Sequence, residues 1–196
     1  PTILYGPGSS GKGYLAVGCC VAVAAEVAPP MPTFAGFLTG HGAVLYLDWE
    51  DTHERFSVRC WQVALGMGLE EPPVRLFHRE CSGQLKGQVH QVAQEIARLH
   101  IKLVVIDSVG MACGASGERQ SYEDKALELF EAIRSFGPCS CLLIDHVSEE
   151  GQRNGKLAGK SYGSVYKFNL IRHQWEARKE QAMGSATLNV GLFNTK

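Results

Sequence analysis

Apolar residues fall along this chain in short unbroken runs separated by longer amphipathic stretches. "TILY" (2–5), "AVLYLDWED" (43–51), "VRLFH" (74–78), "KLVVIDS" (102–108) and "SCLLIDH" (140–146) are such runs. Several turn polar or acidic at their carboxyl ends, as expected of strands buried on both faces of a sheet. Between them lie segments with helical spacing. "YLAVGCCVAVAAEV" (14–27) is apolar enough for a buried helix, and a second helix is expected from Thr52 to Gly66. In 84–100, Leu85, Val89, Val92, Ile96 and Leu99 share one helical face. "SYEDKALELFEAIRSF" (121–136) opens with Ser121 and Asp124 in capping-box spacing and stops at Gly137 and Pro138.

Strand and helix thus alternate four times, which predicts an α/β fold built on a doubly wound, mostly parallel sheet. The segment 28–42, rich in proline and glycine, breaks periodicity and is expected to be a loop. After residue 147 the pattern changes. A glycine-rich stretch leads to 164–177 and 186–194, which have the character of C-terminal antiparallel strands with no helix between them.

The 196 residues, 45% hydrophobic, suffice for one core, so a single domain over 1–196 is expected, trimmed at its N-terminus because the chain begins inside its first strand. A formal charge of −1 excludes a globally basic nucleic-acid binder, so any polyanion must be met locally. The seven cysteines contain no C-x-x-C pair and suit a reducing, cytoplasmic setting. The apolar run 14–25 is too short to span a bilayer, and no membrane partner is expected.

Between the first strand and the first helix stands "GPGSSGKGYL". It fits G-x-x-x-x-G-K-[ST] at every specified position except the last, where Gly13 replaces the hydroxyl residue. Glycines let consecutive N–H groups turn inward, where a helix N-terminus holds a β-phosphate and the lysine reaches the β- and γ-phosphates. Gly6, Pro7, Gly8, Ser9, Ser10, Gly11, Lys12, Gly13 and Tyr14 are therefore the candidate nucleotide-binding loop. The hydroxyl missing at Gly13 ordinarily gives an oxygen to Mg²⁺. A water, Ser9 or Ser10 would have to compensate, so binding is expected to survive better than turnover.

Ligands of open α/β sheets lie beyond the carboxyl ends of the strands. Asp107 ends "LVVI" where a carboxylate can hold Mg²⁺ against the phosphates. Glu50 ends the strand that follows the first helix and is the candidate to deprotonate an attacking water. In the same acidic stretch, Asp51 and Glu54 have capping spacing, so Asp51 is expected to start the next helix, and Asp48 fits a buried, hydrogen-bonded acid. His146 ends the last parallel strand, where a polar group can sense the γ-phosphate.

"LYGPGSSGKG", "VLYLDWED", "LVVIDS", "LLIDHVSEEG", "YGSVYKFNLIRHQWE" and "NVGLFNTK" occur in an order and spacing that resemble the RecA-superfamily ATPases related to the plasmid RepA-type hexameric replicative helicase. The resemblance implies a RecA-like core and ATP at the subunit interfaces of a homo-oligomeric, hexameric ring. It implies that Glu50 is the catalytic glutamate, that His146 links nucleotide to a DNA loop, and that Arg172 is the arginine finger entering the neighbour's site. An arginine so late in the chain suits neutralisation of a transferring γ-phosphate in trans.

From Gly151 to Trp175 the chain carries Arg153, Lys156, Lys160, Lys167 and Arg172 and no acid. Arg153, Lys156 and Lys160 are the candidates for phosphate contacts with single-stranded DNA. Three functions remain open on these residues. The first is a DNA-dependent ATPase of the replicative DNA helicase kind; the second is a nucleotide-binding oligomeric scaffold or regulator with little hydrolysis. A P-loop kinase is the third, disfavoured by the C-terminal strands.

Overall fold

The computed structural model describes residues 1–25, 33–34, 36–114, 122–147, 170–181 and 184–196. The apolar runs become β1 (Thr2–Gly6), β4 (Ala43–Asp48), β5 (Leu76–Glu80), β6 (Ile101–Asp107) and β7 (Ser140–His146). With β8 (His173–Glu180) and β9 (Asn189–Asn194) they form one seven-stranded sheet in the order β5-β4-β6-β7-β1-β8-β9. Every neighbouring pair from β5 to β8 is parallel, and only β9 reverses, against β8. The expected antiparallel pairing of the C-terminal strands holds between β8 and β9, whereas β8 extends the parallel sheet beside β1. It begins at His173 and runs on to Glu180, later than the expected 164–177. Residues 164–169 lie outside the described residues.

The order of the strands determines which face each helix covers. From β1 the chain steps two strands beyond its neighbour to β4 and outward to β5, then returns through β6 to β7. Right-handed crossovers put helices on opposite faces when the direction of travel reverses. Accordingly α1 (Lys12–Ala24) and α2 (His53–Gly66) pack on one face, with Val17, Val21 and Phe56 against Leu4, Val44, Tyr46 and Val105. On the other face lie α3 (Val89–Leu99) and α5 (Tyr122–Arg134), with Val92, Ile96, Leu129 and Phe130 against Ile3, Leu45, Leu47 and Ile106. Val44 and Tyr46 face one way and Leu45 and Leu47 the other, as the two-residue period of a strand requires.

Several local expectations are corrected. The cap of α2 is Thr52, whose hydroxyl accepts from Arg55 N, and not Asp51. Asp51 lies one residue too early and pairs instead with Arg59 and Arg55. The helix expected over 84–100 is split into a 3-10 turn at Leu85–Gly87 and α3, which ends where His100 adopts a φ of 53°. The segment 28–42 contains a short hairpin, β2 (Thr33–Phe34) with β3 (Phe37–Leu38). A four-residue helix, α4 (Val109–Ala112), follows β6. Ser121, proposed to cap α5, lies outside the described residues.

Candidate functional site

Four adjacent strands, β4, β6, β7 and β1, bring their carboxyl ends to one cleft of about 320 Å³. Register sets what meets there: Asp48 is level with Asp107, and Gly6 with His146. The loop after β1 depends on glycine at two points. A Cβ on Gly6 would lie 2.5 Å from the Ala177 carbonyl oxygen of β8, and Gly11 has a φ of 81°. Gly11 offers no side-chain cap to α1, so the first amides of that helix are open to an anion. Lys12 Nζ folds back along the loop and donates to the carbonyls of Gly6 (2.9 Å) and Pro7 (2.7 Å), with Ser10 Oγ at 3.4 Å. Burial lowers its pKa below the ordinary lysine value, opposed by the charges of Asp107, Glu50 and Asp145.

The acids of the cleft differ in environment. Asp107 is 7% exposed, and Tyr46 Oη donates to its Oδ2 at 2.5 Å. Burial outweighs that hydrogen bond and pushes the carboxyl up to about 6. Asp48 Oδ1 accepts from the backbone N–H groups of Glu50 and Asp51, both at 2.9 Å, and His78 Nε2 lies 3.3 Å from its Oδ2. Asp48 is thus the buried acid expected from the sequence, and it fixes the turn that carries Glu50 beyond the sheet. Glu50 Oε1 stands 3.3 Å from His146 Nε2, across the ends of β4 and β7. That contact lowers the Glu50 carboxyl and raises the His146 imidazole relative to their ordinary values.

The sequence-derived site therefore divides into four parts. Gly6 to Gly13, Asp107, Glu50 and His146 share or border the cleft. Tyr14 lies at its rim, half exposed, with its hydroxyl donating to Gln62 Oε1 at 2.8 Å. Arg172 is elsewhere: its N–H donates to the Pro1 carbonyl, and the next residue, His173, pairs with Thr2 at the amino end of β1. The length of β1, about 16 Å at 3.3 Å per residue, separates it from its own chain's loop. Arg153, Lys156 and Lys160 lie outside the described residues.

Sequence reading missed Arg59. This arginine of α2 lines the cleft, pairs with Asp51 and lies 5.9 Å over the Tyr14 ring. A Cβ built on Gly13 would meet Arg59 Nη1 at 3.3 Å. The only signal in the sequence was the missing hydroxyl itself. The donor set consequently does not fit a magnesium ion held in the ordinary way: Asp107 offers a carboxylate, but position 13 offers no oxygen and is faced by a cation. Among the described residues there is no group of three or more His, Cys, Asp or Glu that could hold a metal ion.

A family model described as an AAA domain matches residues 1–152. This chain belongs to that AAA-domain family. The match covers the phosphate loop and the strand ends that carry Glu50, Asp107 and His146, and stops before β8. AAA domains are P-loop ATPases, so nucleotide binding and ATPase-like chemistry hold for this chain at the level of the family. No curated protein matches the AAA-domain chain at a significant level. No helix among its described residues is long and apolar enough to cross a membrane.

Proposed function

We propose that this AAA domain is a RecA-like motor that hydrolyses ATP and works as a replicative-helicase-like ring on single-stranded DNA. The observation that carries the reading is the Glu50–His146 contact, which joins the end of β4 to the end of β7 beside the phosphate loop. Lys12 and the amides of α1 bind the phosphates, and Glu50 orients and deprotonates the attacking water. His146 competes with that water for the Glu50 carboxylate, so its position reports the state of the γ-phosphate. Arg153, Lys156 and Lys160 follow His146 by seven to fourteen positions in the sequence and supply contacts to the phosphate backbone of DNA. Arg172, remote from its own loop, acts on a neighbouring copy.

The test is phosphate release with and without a single-stranded oligonucleotide. Stimulation by DNA is expected, with a loss of about a hundredfold or more in Glu50→Gln and abolition in Lys12→Ala. Rings mixed from Lys12→Ala and Arg172→Ala copies should regain activity only at interfaces that join an intact loop to an intact arginine. Turnover indifferent to every nucleic acid would remove the motor.

A second reading, a nucleotide-dependent scaffold or regulator with negligible hydrolysis, is favoured by Gly13 and the arginine that faces it. Nucleotide-dependent assembly without phosphate release would decide for it.

A further inference from the structure

Gly13 is not there for its backbone. It lies in the first turn of α1 and is absent from the glycines with positive φ, so an L-residue would fit its conformation. Glycine in a helix costs about 1 kcal/mol relative to alanine. What the missing side chain leaves is room. Among the described residues, leaving aside its chain neighbours and its own helix backbone, the atoms within 4 Å of a Cβ at this position belong to the Arg59 guanidinium, with Nη1 at 3.3 Å and Cζ at 3.6 Å.

The guanidinium is also held in place. The Asp51 carboxylate pairs with its Nη2, both side chains being mostly buried, at 19% and 13% exposed. The Tyr14 ring lies beneath it. Asp51 is itself fixed by its backbone N–H on Asp48 Oδ1. Two cations therefore flank the open N-terminus of α1, Lys12 on the sheet side and Arg59 on the α2 side, and Arg59 acts on Asp107 across the cleft. A planar fork with several N–H donors matches adjacent phosphate oxygens, and it needs no metal to do so.

We propose that Gly13 and Arg59 together replace the hydroxyl-and-magnesium pair of other phosphate loops. Arg59 meets the β- and γ-phosphate oxygens directly, and the chain binds a nucleoside triphosphate without a divalent cation. The proposal rests on the nucleotide reading given above and adds the identity of the cation at the phosphates.

Calorimetry with β,γ-imido-ATP, in magnesium buffer and in EDTA, tests it on protein whose fold is checked by circular dichroism. Wild-type affinity should agree within about threefold between the two buffers. Arg59→Ala should weaken binding in EDTA by about tenfold or more, the value of one charge-assisted hydrogen bond, and Arg59→Lys should recover part of the loss. The double variant Gly13→Ser with Arg59→Ala should acquire metal dependence, with affinity in magnesium about tenfold or more above that in EDTA. An arginine that only braces α2 would leave the ratio between the buffers unmoved. Wild-type binding lost in EDTA, or EDTA affinity unchanged in Arg59→Ala, overturns the proposal and leaves the nucleotide reading intact. No heat in either buffer from folded protein overturns both.

Discussion

Replacing a cleft acid should stabilise this protein. Asp107 is buried, and its carboxyl is moved from an ordinary 3.8 to about 6, chiefly by loss of solvation and further by the nearby charges of Glu50 and Asp48. A folded-state pKa above the unfolded one means that the folded form prefers the proton. The associated stability is present below about pH 4 and is lost as pH rises through 6. At about 1.4 kcal/mol for each tenfold, the charged carboxylate costs the folded protein about 3 kcal/mol at pH 8. Asp107→Asn removes that charge and keeps an oxygen to accept from Tyr46 Oη. The weaker bond of a neutral acceptor to the phenol is already contained in that shift, so the net gain is about 3 kcal/mol. For a chain of this length that corresponds to a rise of about 6 to 12 °C in melting temperature. Urea and thermal unfolding at pH 5 and pH 8, in EDTA and without nucleotide, measure it. The wild type should be less stable at pH 8 relative to the variant than it is at pH 5. A variant that is less stable than wild type at pH 8, or that keeps the wild-type pH dependence, would refute the argument.

The remaining expectations are local. Gly6→Ala drives a methyl into the Ala177 carbonyl and should part β1 from β8, lowering stability by about 1 to 3 kcal/mol; an unchanged urea midpoint would show that the contact yields. Thr52→Ala should cost about 1 kcal/mol as the lost cap of α2, with Thr52→Ser near neutral, and equal melts for all three would remove Thr52 from that role. The Glu50 contact raises His146 and lowers Glu50, so the ion pair exists between their two pKa values: it fades as pH rises through that of His146 and as pH falls through that of Glu50. In Glu50→Gln the NMR titration midpoint of His146 should fall toward the ordinary 6.5; a midpoint that stays put would mean that another group raises it.

Much of the architecture was legible because burial on both faces forces a strand to be apolar throughout. That is why 2–5, 102–108 and 140–146 stood out and lie within a residue of β1, β6 and β7, while 43–51 shares its start with β4 and runs three residues past its end at Asp48. β5 was misplaced by two residues at each end because its side chains are only partly buried, which weakens the pattern. The cap of α2 was misread because Asp51 and Thr52 both have the right chemistry, and only the entry angle of the chain selects between them. The direction of β8 was invisible, since the same alternation serves a parallel or an antiparallel partner.

Local chemistry along the chain, its spacing and its punctuation were enough to specify a phosphate loop on a doubly wound sheet and to nominate the acids at the strand ends. The tertiary structure alone decided which groups act on one another: Tyr46 on Asp107, 61 positions apart, Glu50 on His146, 96 apart, and a guanidinium from α2 on the glycine that replaces a hydroxyl. The physical reason is that backbone preference and hydrophobic period are carried by neighbouring residues. Burial, electrostatic pairing and the space beside a missing side chain arise only when distant segments are packed against one another.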